Sequence, residues 1–405
     1  MDRLDAVAGA RASAARSKLD VRVTDSAAGF DELGPSWKAL HDADPEASVF
    51  VSWDWMRPWW NYYGKGQLLR LLAAYKDEQL VGILPLWVQR KTSGALAPRL
   101  LRFVGTGGDT APDYLGPVYD RAHAKEIAAR FAEHILTHIA EWDVLLLSDL
   151  REDEPLGDAL RRACAARGLP TSSQVSAEIA FITLPKTWDD YLAGVSRDRR
   201  YTIRNTRRKA EANYGVRFFT ETDPQRLDGL FDRLVELHTS RWHARGEAHA
   251  FSTPEYVGFH RDAVQSCAQR GWVRFYGLEV SGRPIAMFYC YQFRNRIFYF
   301  QAGFDPAFEK MRPGLVLIGH SVEHAIGSGM EVFDFLRGEH EYKNQWGKGL
   351  NRTSCVTVYR PTAPAALYRL RTKNIPSAKA WIKRRFPFLA ALWRRLGRKH
   401  GRQEA

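Results

Sequence analysis

The chain has 405 residues and a formal net charge of +13, with 45% hydrophobic and 12% aromatic residues. This length exceeds one ordinary domain, and the apolar content suffices for packed cores. Residues 361–405 contain twelve Lys or Arg and one acid, which gives +11 and leaves +2 for the rest of the chain. The charge therefore does not indicate a nucleic-acid-binding body. No apolar run approaches the ~20 residues of a membrane-spanning helix.

The first residues hold basic side chains among Ala and Ser, without the apolar stretch of a secretory signal. This composition predicts a disordered segment over residues 1–18. None of the four cysteines forms a CxxC pair or has a His at metal-ligand spacing. We therefore predict a cytoplasmic protein with no metal site, whose cysteines are small core residues.

Two stretches of the chain repeat one order of predicted elements. Each has two helical patterns, then a hairpin with a turn at 76–79 or 281–283, then a helix and a continuous apolar strand, which is typical of a buried central strand. We predict a mixed α/β fold with two halves. The first half spans residues 19–177 and the second spans 178–360, and a basic tail follows at 361–405. The chain crosses from one half to the other at 171–178.

The second half contains a strand, a loop and a helix over residues 297–326. Gly314 opens the helix and Pro313 precedes it, and the free N–H groups of such a helix start can bind an anion. Lys310 and Arg312 add positive charge beside it. A pyrophosphate such as that of coenzyme A would fit there, and the alternative is a plain strand–helix connection.

The apolar strand at 332–335 ends in a dense polar cluster. Active groups concentrate at such strand ends in α/β sheets. Asp334 alternates with Phe333 and Phe335, so a regular strand points its carboxyl to the opposite face. A buried carboxylate needs a partner, which Arg337 or Lys343 could supply. The alternative is a structural ion pair that holds a loop.

A basic segment lies at 196–209, where Arg197, Arg200, Arg204 and Arg208 would share one helix face. Unbalanced positive charge favours phosphate binding, from a nucleotide cofactor or RNA. The alternative is a solvated helix face.

Several of these segments resemble the GNAT-like acyltransferases associated with bacterial cellulose and exopolysaccharide biosynthesis, the CelD-like group. The resemblance covers roughly residues 22–360 and is carried by the segments 300–314, 333–346 and 236–242, with Asp113 and Tyr114 in the first half. The chain is more distantly similar to Fem-type transferases, which add amino acids to peptidoglycan precursors. The resemblance implies tandem GNAT-like domains, acetyl-CoA or another acyl-CoA as co-substrate, and an amine or saccharide acceptor.

The resemblance also implies roles for individual residues. Asp334 or Glu339 would be the base, Tyr342 the acid, and Arg337 and Lys343 would orient the carboxylates or the acceptor. The residues implied to bind the donor are Gln301, Gly303, Lys310, Arg312 and Gly314. Those implied to bind the acceptor are His238, Arg241 and Trp242. The first half would carry no donor site.

The Gln/Arg-x-x-Gly-x-Gly/Ala loop usual in acetyltransferases is incomplete here, so acetyl-CoA, a longer acyl-CoA and a charged tRNA all stay open as donors. A Fem-type aminoacyl-tRNA-dependent transferase and a non-catalytic, membrane-associated assembly factor are the alternative functions.

Residues 377–400 place Leu389, Leu392, Trp393 and Leu396 at helical spacing opposite arginines. This pattern predicts a helix attracted to anionic lipid at the inner face of the membrane, and the alternative is a helix that docks on the body or is disordered.

Overall fold

A computed structural model describes residues 19–90, 94, 96–243, 250–338, 343, 345–347 and 349–374. Four predicted features lie outside the described residues: the disordered start, Glu339, Tyr342 and the lipid-binding helix.

Strands and helices alternate along both halves. The first half contains β1 (Asp20–Thr24), α1 (Ala27–Glu32), α2 (Gly34–Ala43), α3 (Trp53–Tyr63), β2 (Leu68–Lys76), β3 (Gln79–Gln89), β4 (Leu100–Phe103), β5 (Val118–Tyr119), α4 (Ala124–Thr137), β6 (Val144–Arg151) and α5 (Pro155–Ala165). The second contains β7 (Thr171–Thr183), α6 (Trp188–Gly194), α7 (Arg197–Tyr214), β8 (Arg217–Glu221), α8 (Pro224–His243), α9 (Pro254–Ala268), β9 (Val273–Val280), β10 (Arg283–Phe293), β11 (Arg296–Phe304), α10 (Pro313–Gly327), β12 (Val332–Asp334), β13 (Gly349–Tyr359) and α11 (Ala363–Arg369).

The strands of the described residues form one sheet, in the order β1-β2-β3-β4-β6-β13-β7-β12-β11-β10-β9-β8, and β5 pairs with β3. From each outer edge inwards, three antiparallel pairs lead to one parallel pair, β4–β6 in the first half and β11–β12 in the second. The predicted mixed α/β fold with two halves of the same element order is therefore confirmed.

Strands β7 and β13 connect the two halves at the centre of this sheet. β7 pairs with β12, while β13 pairs with β6 and with β7. Residues 171–178, which were predicted to cross between the halves, lie in β7. Because β13 of the second half pairs with β6 of the first, the hydrogen-bonded ladder is continuous through the molecule.

The helices join the halves a second time, since α3 packs against α9. Trp55 and Phe259 meet edge to face with ring centroids 5.0 Å apart, and the Tyr62 hydroxyl donates to the Asp262 carboxylate at 3.0 Å. The hydrophobic core on this face includes buried residues of both halves. All four cysteines are buried and free.

In the described part of the chain, no helix combines the length and the hydropathy needed to cross a bilayer.

Candidate active site

A pocket opens where strands β11 and β12 separate. Their parallel pairing ends at Phe298 and Asp334. Beyond that point β11 continues to Phe304, while the Phe335 N–H donates to the Ala180 carbonyl of β7. The crevice outside the carboxyl ends of parallel strands is a common ligand site in α/β proteins. The pocket there has a volume of about 300 Å³, and its wall includes Phe288, Tyr299, Phe304, Leu315, Ile318 and Trp346.

The start of α10 faces this pocket. Asp305 caps a short 3-10 helix, Pro306–Met311, after which Arg312 adopts a left-handed conformation with φ of 58°. The turn leads directly into Pro313, and no side chain caps the helix. Arg312, Pro313 and Gly314 line the pocket. A helix start of this kind offers backbone N–H groups and a positive partial charge to an anion.

Three arginines from three helical segments line the same pocket: Arg199 of α7, Arg241 of α8 and Arg312 at the start of α10. The Arg199 guanidinium lies 4.5 Å from the centre of the Trp346 ring and donates to the Gln345 Oε1 at 3.0 Å. The Nε and Nη2 atoms of Arg199 are buried, and among the described residues they have no hydrogen-bond partner. Burial, together with the positive charge of Arg312, lowers the pKa of Arg199. Of the described residues in the wall, Glu309 is the one carboxylate, so positive charge dominates among them.

The predicted donor-binding residues divide between the pocket and its surroundings. Gly303, Arg312 and Gly314 line it. Gln301 instead lies 3.3 Å from the Tyr256 hydroxyl, and Lys310 is exposed outside the lining. A Cβ on Gly303 would lie 2.5 Å from the His238 backbone nitrogen, so this glycine lets α8 pack closely on β11.

Arg199 was missed because it lies outside the predicted basic face of α7. It is spaced four and eleven residues before Ile203 and Ala210, the two buried residues of that helix. This apolar spacing is the signal that could have identified Arg199 as inward-facing. Within the predicted face, Arg200 donates to the Leu192 carbonyl at 2.8 Å, whereas Arg197, Arg204 and Arg208 are exposed.

Asp334 faces away from the pocket. Phe333 and Phe335 belong to the core on the pocket side, together with Tyr299. The Asp334 carboxylate is fully buried and accepts hydrogen bonds from the Tyr114 hydroxyl at 2.7 Å and from the Leu336 N–H at 2.8 Å. Burial raises the pKa of Asp334 to about 6, although the hydrogen bond from Tyr114 opposes this rise.

Arg337 and Lys343 have partners other than Asp334. Arg337 pairs with Asp113 of the first half at 2.7 Å and also with Asp149. The Lys343 ammonium donates to the carbonyls of Phe335, Leu336 and Arg337 at 2.8, 3.2 and 2.8 Å. Burial lowers the pKa of Lys343 to about 8. The predicted polar cluster therefore exists, but its carboxylate is held by a tyrosine of the other half.

The predicted acceptor-binding residues lie on the last turns of α8. Arg241 reaches the pocket, where its guanidinium lies 4.8 Å from the centre of the Phe304 ring. His238 is buried, and its Nε2 accepts a hydrogen bond from the Trp242 Nε1 at 3.1 Å. Among the described residues, no group of three or more His, Cys, Asp or Glu side chains could hold a metal ion.

Residues 197–344 match the family model described as an acetyltransferase (GNAT) domain. The match begins at α7 and ends after β12, so it contains β11, the start of α10 and Asp334. The predicted enzyme class, an acyltransferase, is therefore confirmed. No curated protein matches the chain.

Solved structures share the fold at low sequence identity. The chain is similar to FemX, with a TM-score of 0.56 and 12% identity over 80% of this chain and 95% of that one. It is also similar to the C-terminal domain of a putative lysylphosphatidylglycerol synthetase from Agrobacterium fabrum, with a TM-score of 0.52 and 12% identity over 85% and 96%. For L-PGS from Bacillus licheniformis the TM-score is 0.50 and the identity 11%, over 80% and 91%. At these identities the likeness concerns the fold alone.

Proposed function

We propose that the pocket at the ends of β11 and β12 binds an acyl-CoA and that the chain transfers its acyl group to an amine or hydroxyl acceptor. One observation carries this proposal: the open start of α10 and three guanidinium groups converge on one pocket, whose described wall holds a single carboxylate. Arg199, Arg241 and Arg312 bring three positive charges to the pocket wall, which favours an anionic ligand because charge-assisted hydrogen bonds to phosphate are strong. The phosphates of coenzyme A would supply the negative charge, and the apolar wall would take the pantetheine and acyl parts.

In the proposed reaction the acceptor attacks the thioester carbonyl, a C–N or C–O bond forms and the C–S bond breaks. The acceptor gives up one proton, and the departing thiolate takes one up. We assign the first proton to Asp334 through the Tyr114 hydroxyl, because these groups are hydrogen-bonded at 2.7 Å. With a pKa of about 6, the carboxyl is ionised at neutral pH and able to accept a proton. Tyr342 stays the predicted acid for the thiolate.

Calorimetric titration of the full chain with acetyl-CoA and with longer acyl-CoAs tests the donor. We expect binding of an acyl-CoA, and we expect Arg199→Ala and Arg312→Ala each to weaken it about tenfold or more, since a charge-assisted hydrogen bond contributes about 1.5–3 kcal/mol. Arg283→Ala is the matched control, because Arg283 is exposed at the start of β10, outside the pocket. Unchanged affinity in both pocket variants would refute the donor site.

A charged tRNA is the second candidate donor, and one observation favours it. Arg197, Tyr201, Arg204 and Arg208 form an exposed stripe along α7, in which Tyr201 is 68% exposed. Arginines with an exposed aromatic ring suit phosphates and unstacked bases. Titration with aminoacyl-tRNA separates the two: tight binding lost in Arg204→Ala, without binding of any acyl-CoA, would select the tRNA donor. Absence of binding by both donors would favour the non-catalytic assembly factor.

For the acceptor we propose an amine or saccharide of exopolysaccharide synthesis, a choice that rests on the motif resemblance to the CelD-like group. We also propose that residues 377–400 attach the chain to anionic membrane, which rests on their amphipathic, basic sequence pattern. Deletion of residues 377–405 should abolish binding to anionic vesicles, and undiminished binding would refute the attachment.

A further inference from the structure

A second and larger cavity lies between the two halves, with a volume of about 700 Å³. Its wall takes Tyr114 and Arg151 from the first half, and Arg296, Phe298 and Asn351 from the second. It shares no lining residue with the donor pocket. The volume lies within the range typical of small-molecule sites, about 300–1,000 Å³.

The inner wall of this cavity is built around Tyr114, which adopts a left-handed backbone conformation with φ of 56°. Such a conformation is strained for a residue other than glycine, and residues held in this way cluster at functional sites. The Ser48 hydroxyl donates to the Tyr114 carbonyl at 2.9 Å and helps to hold it. The Tyr114 hydroxyl donates to Asp334 at 2.7 Å and accepts from the Asn351 amide at 3.2 Å. A polar relay from both halves thus connects the cavity to a fully buried carboxyl.

Four arginines line the cavity, and among the described residues three of them have protein partners. Arg151 pairs with Glu46 at 2.8 Å, Arg294 donates to the His41 carbonyl at 2.7 Å, and Arg352 pairs with Glu178 at 3.0 Å. Within the described part of the chain, the Arg296 guanidinium has no hydrogen bond or ion pair. On β11, Arg296 and Phe298 line the cavity while Ile297 between them belongs to the core of the opposite face, so Arg296 lies on the cavity side of the strand.

The cavity and the donor pocket lie on opposite faces of one strand. Phe298 lines the cavity, and the next residue, Tyr299, lines the donor pocket. Asp334 is the last residue of β12 that pairs with β11, so the relay ends where these strands separate and the donor pocket opens. A ligand at Tyr114 would therefore approach the donor from the other face of the sheet.

We propose that this cavity is the acceptor site, and that the acceptor is a polar molecule with an anionic group for Arg296 and an amine or hydroxyl for the Tyr114–Asn351 pair. Glu152 and Glu331 also line the cavity, which favours an ammonium group over a purely anionic ligand. This inference rests on the proposed acyl transfer, since it assigns the second substrate of that reaction.

Calorimetric titration of the full chain with glucosamine 6-phosphate tests the cavity, because this probe carries an amine, hydroxyls and a phosphate. Glucosamine and glucose 6-phosphate are the matched probes that lack one charged group each. We expect glucosamine 6-phosphate to bind about tenfold tighter than either, and Arg296→Ala to weaken its binding about tenfold or more. Arg296→Lys, which keeps the charge, should restore part of the affinity, and Arg283→Ala should bind like the wild type.

Equal affinity of the wild type and Arg296→Ala for glucosamine 6-phosphate would overturn the assignment, as would the absence of binding by all three probes at millimolar concentration. Arg312→Ala separates this result from a failure of the donor site, because it should weaken acetyl-CoA and leave glucosamine 6-phosphate unaffected. Loss of acetyl-CoA binding in Arg296→Ala would also count against two distinct sites.

Discussion

At the scale of single residues, the protonation of Asp334 affects the stability of the protein. Burial raises its pKa from the usual 3.8 to about 6. Between these two values the folded chain holds a proton that the unfolded chain has lost, so the free energy of unfolding falls as the pH rises. Since one pH unit corresponds to about 1.4 kcal/mol, the total loss across this window is about 3 kcal/mol.

The variant Asp334→Asn isolates this effect, because asparagine has the same shape and does not titrate. We expect the free energy of unfolding of the wild type, relative to the variant, to fall by about 2 kcal/mol between pH 4 and pH 6 and to level off above pH 7. Denaturant unfolding of both proteins at several pH values measures the difference. A difference that stays constant from pH 4 to pH 7 would show that the carboxyl titrates near its ordinary pKa.

At the scale of secondary-structure elements, α8 must lie close to β11 for Arg241 to reach the donor pocket. Gly303 permits this approach, because a Cβ there would lie 2.5 Å from the His238 backbone nitrogen and 2.9 Å from the Leu237 carbonyl carbon. Backbone atoms of a helix cannot move aside individually, so the whole of α8 would have to shift.

The variant Gly303→Ala should therefore lower the free energy of unfolding by about 1–3 kcal/mol, which is the usual effect of overpacking. Gly314→Ala is the matched control, since nothing lies within 4 Å of its added Cβ, and its stability should stay within about 0.5 kcal/mol of the wild type. Denaturant unfolding checks both. Equal stability of Gly303→Ala and Gly314→Ala would contradict the close packing of α8 on β11.

At the scale of the whole molecule, the two halves depend on each other. β13 of the second half covers the edge of β6 of the first, and Arg337 pairs with two carboxylates of the first half. Separation would expose unpaired strand edges and buried charges, both of which are unfavourable.

We therefore expect the full chain to unfold in one cooperative transition, and residues 184–374, which lack β7, to give no stable fold. Scanning calorimetry of the full chain and near-ultraviolet circular dichroism of the fragment measure these outcomes. Two separate calorimetric transitions, or a native-like spectrum of the fragment, would show that the halves are independent.

The repeated order of elements was predictable from the sequence because hairpin turns, helix starts and apolar strands leave local patterns in each half. The start of α10 and the burial of Asp334 followed from the same kind of pattern. The partners of the polar cluster were not predictable, since Tyr114 and Asp334 are 220 positions apart, and Asp113 and Arg337 are 224 apart. No local spacing records such contacts, which arise only when the two halves pack together and β13 pairs with β6.

The central claim is that a coenzyme A thioester binds at the start of α10. A crystal structure of the full chain with acetyl-CoA tests it most directly. We expect the pyrophosphate beside Gly314 and Arg312, a phosphate oxygen on the Arg199 guanidinium, and the thioester at the point where β11 and β12 separate. Coenzyme A bound in the first half, or a complex in which Arg199 and Arg312 contact no phosphate, would contradict it.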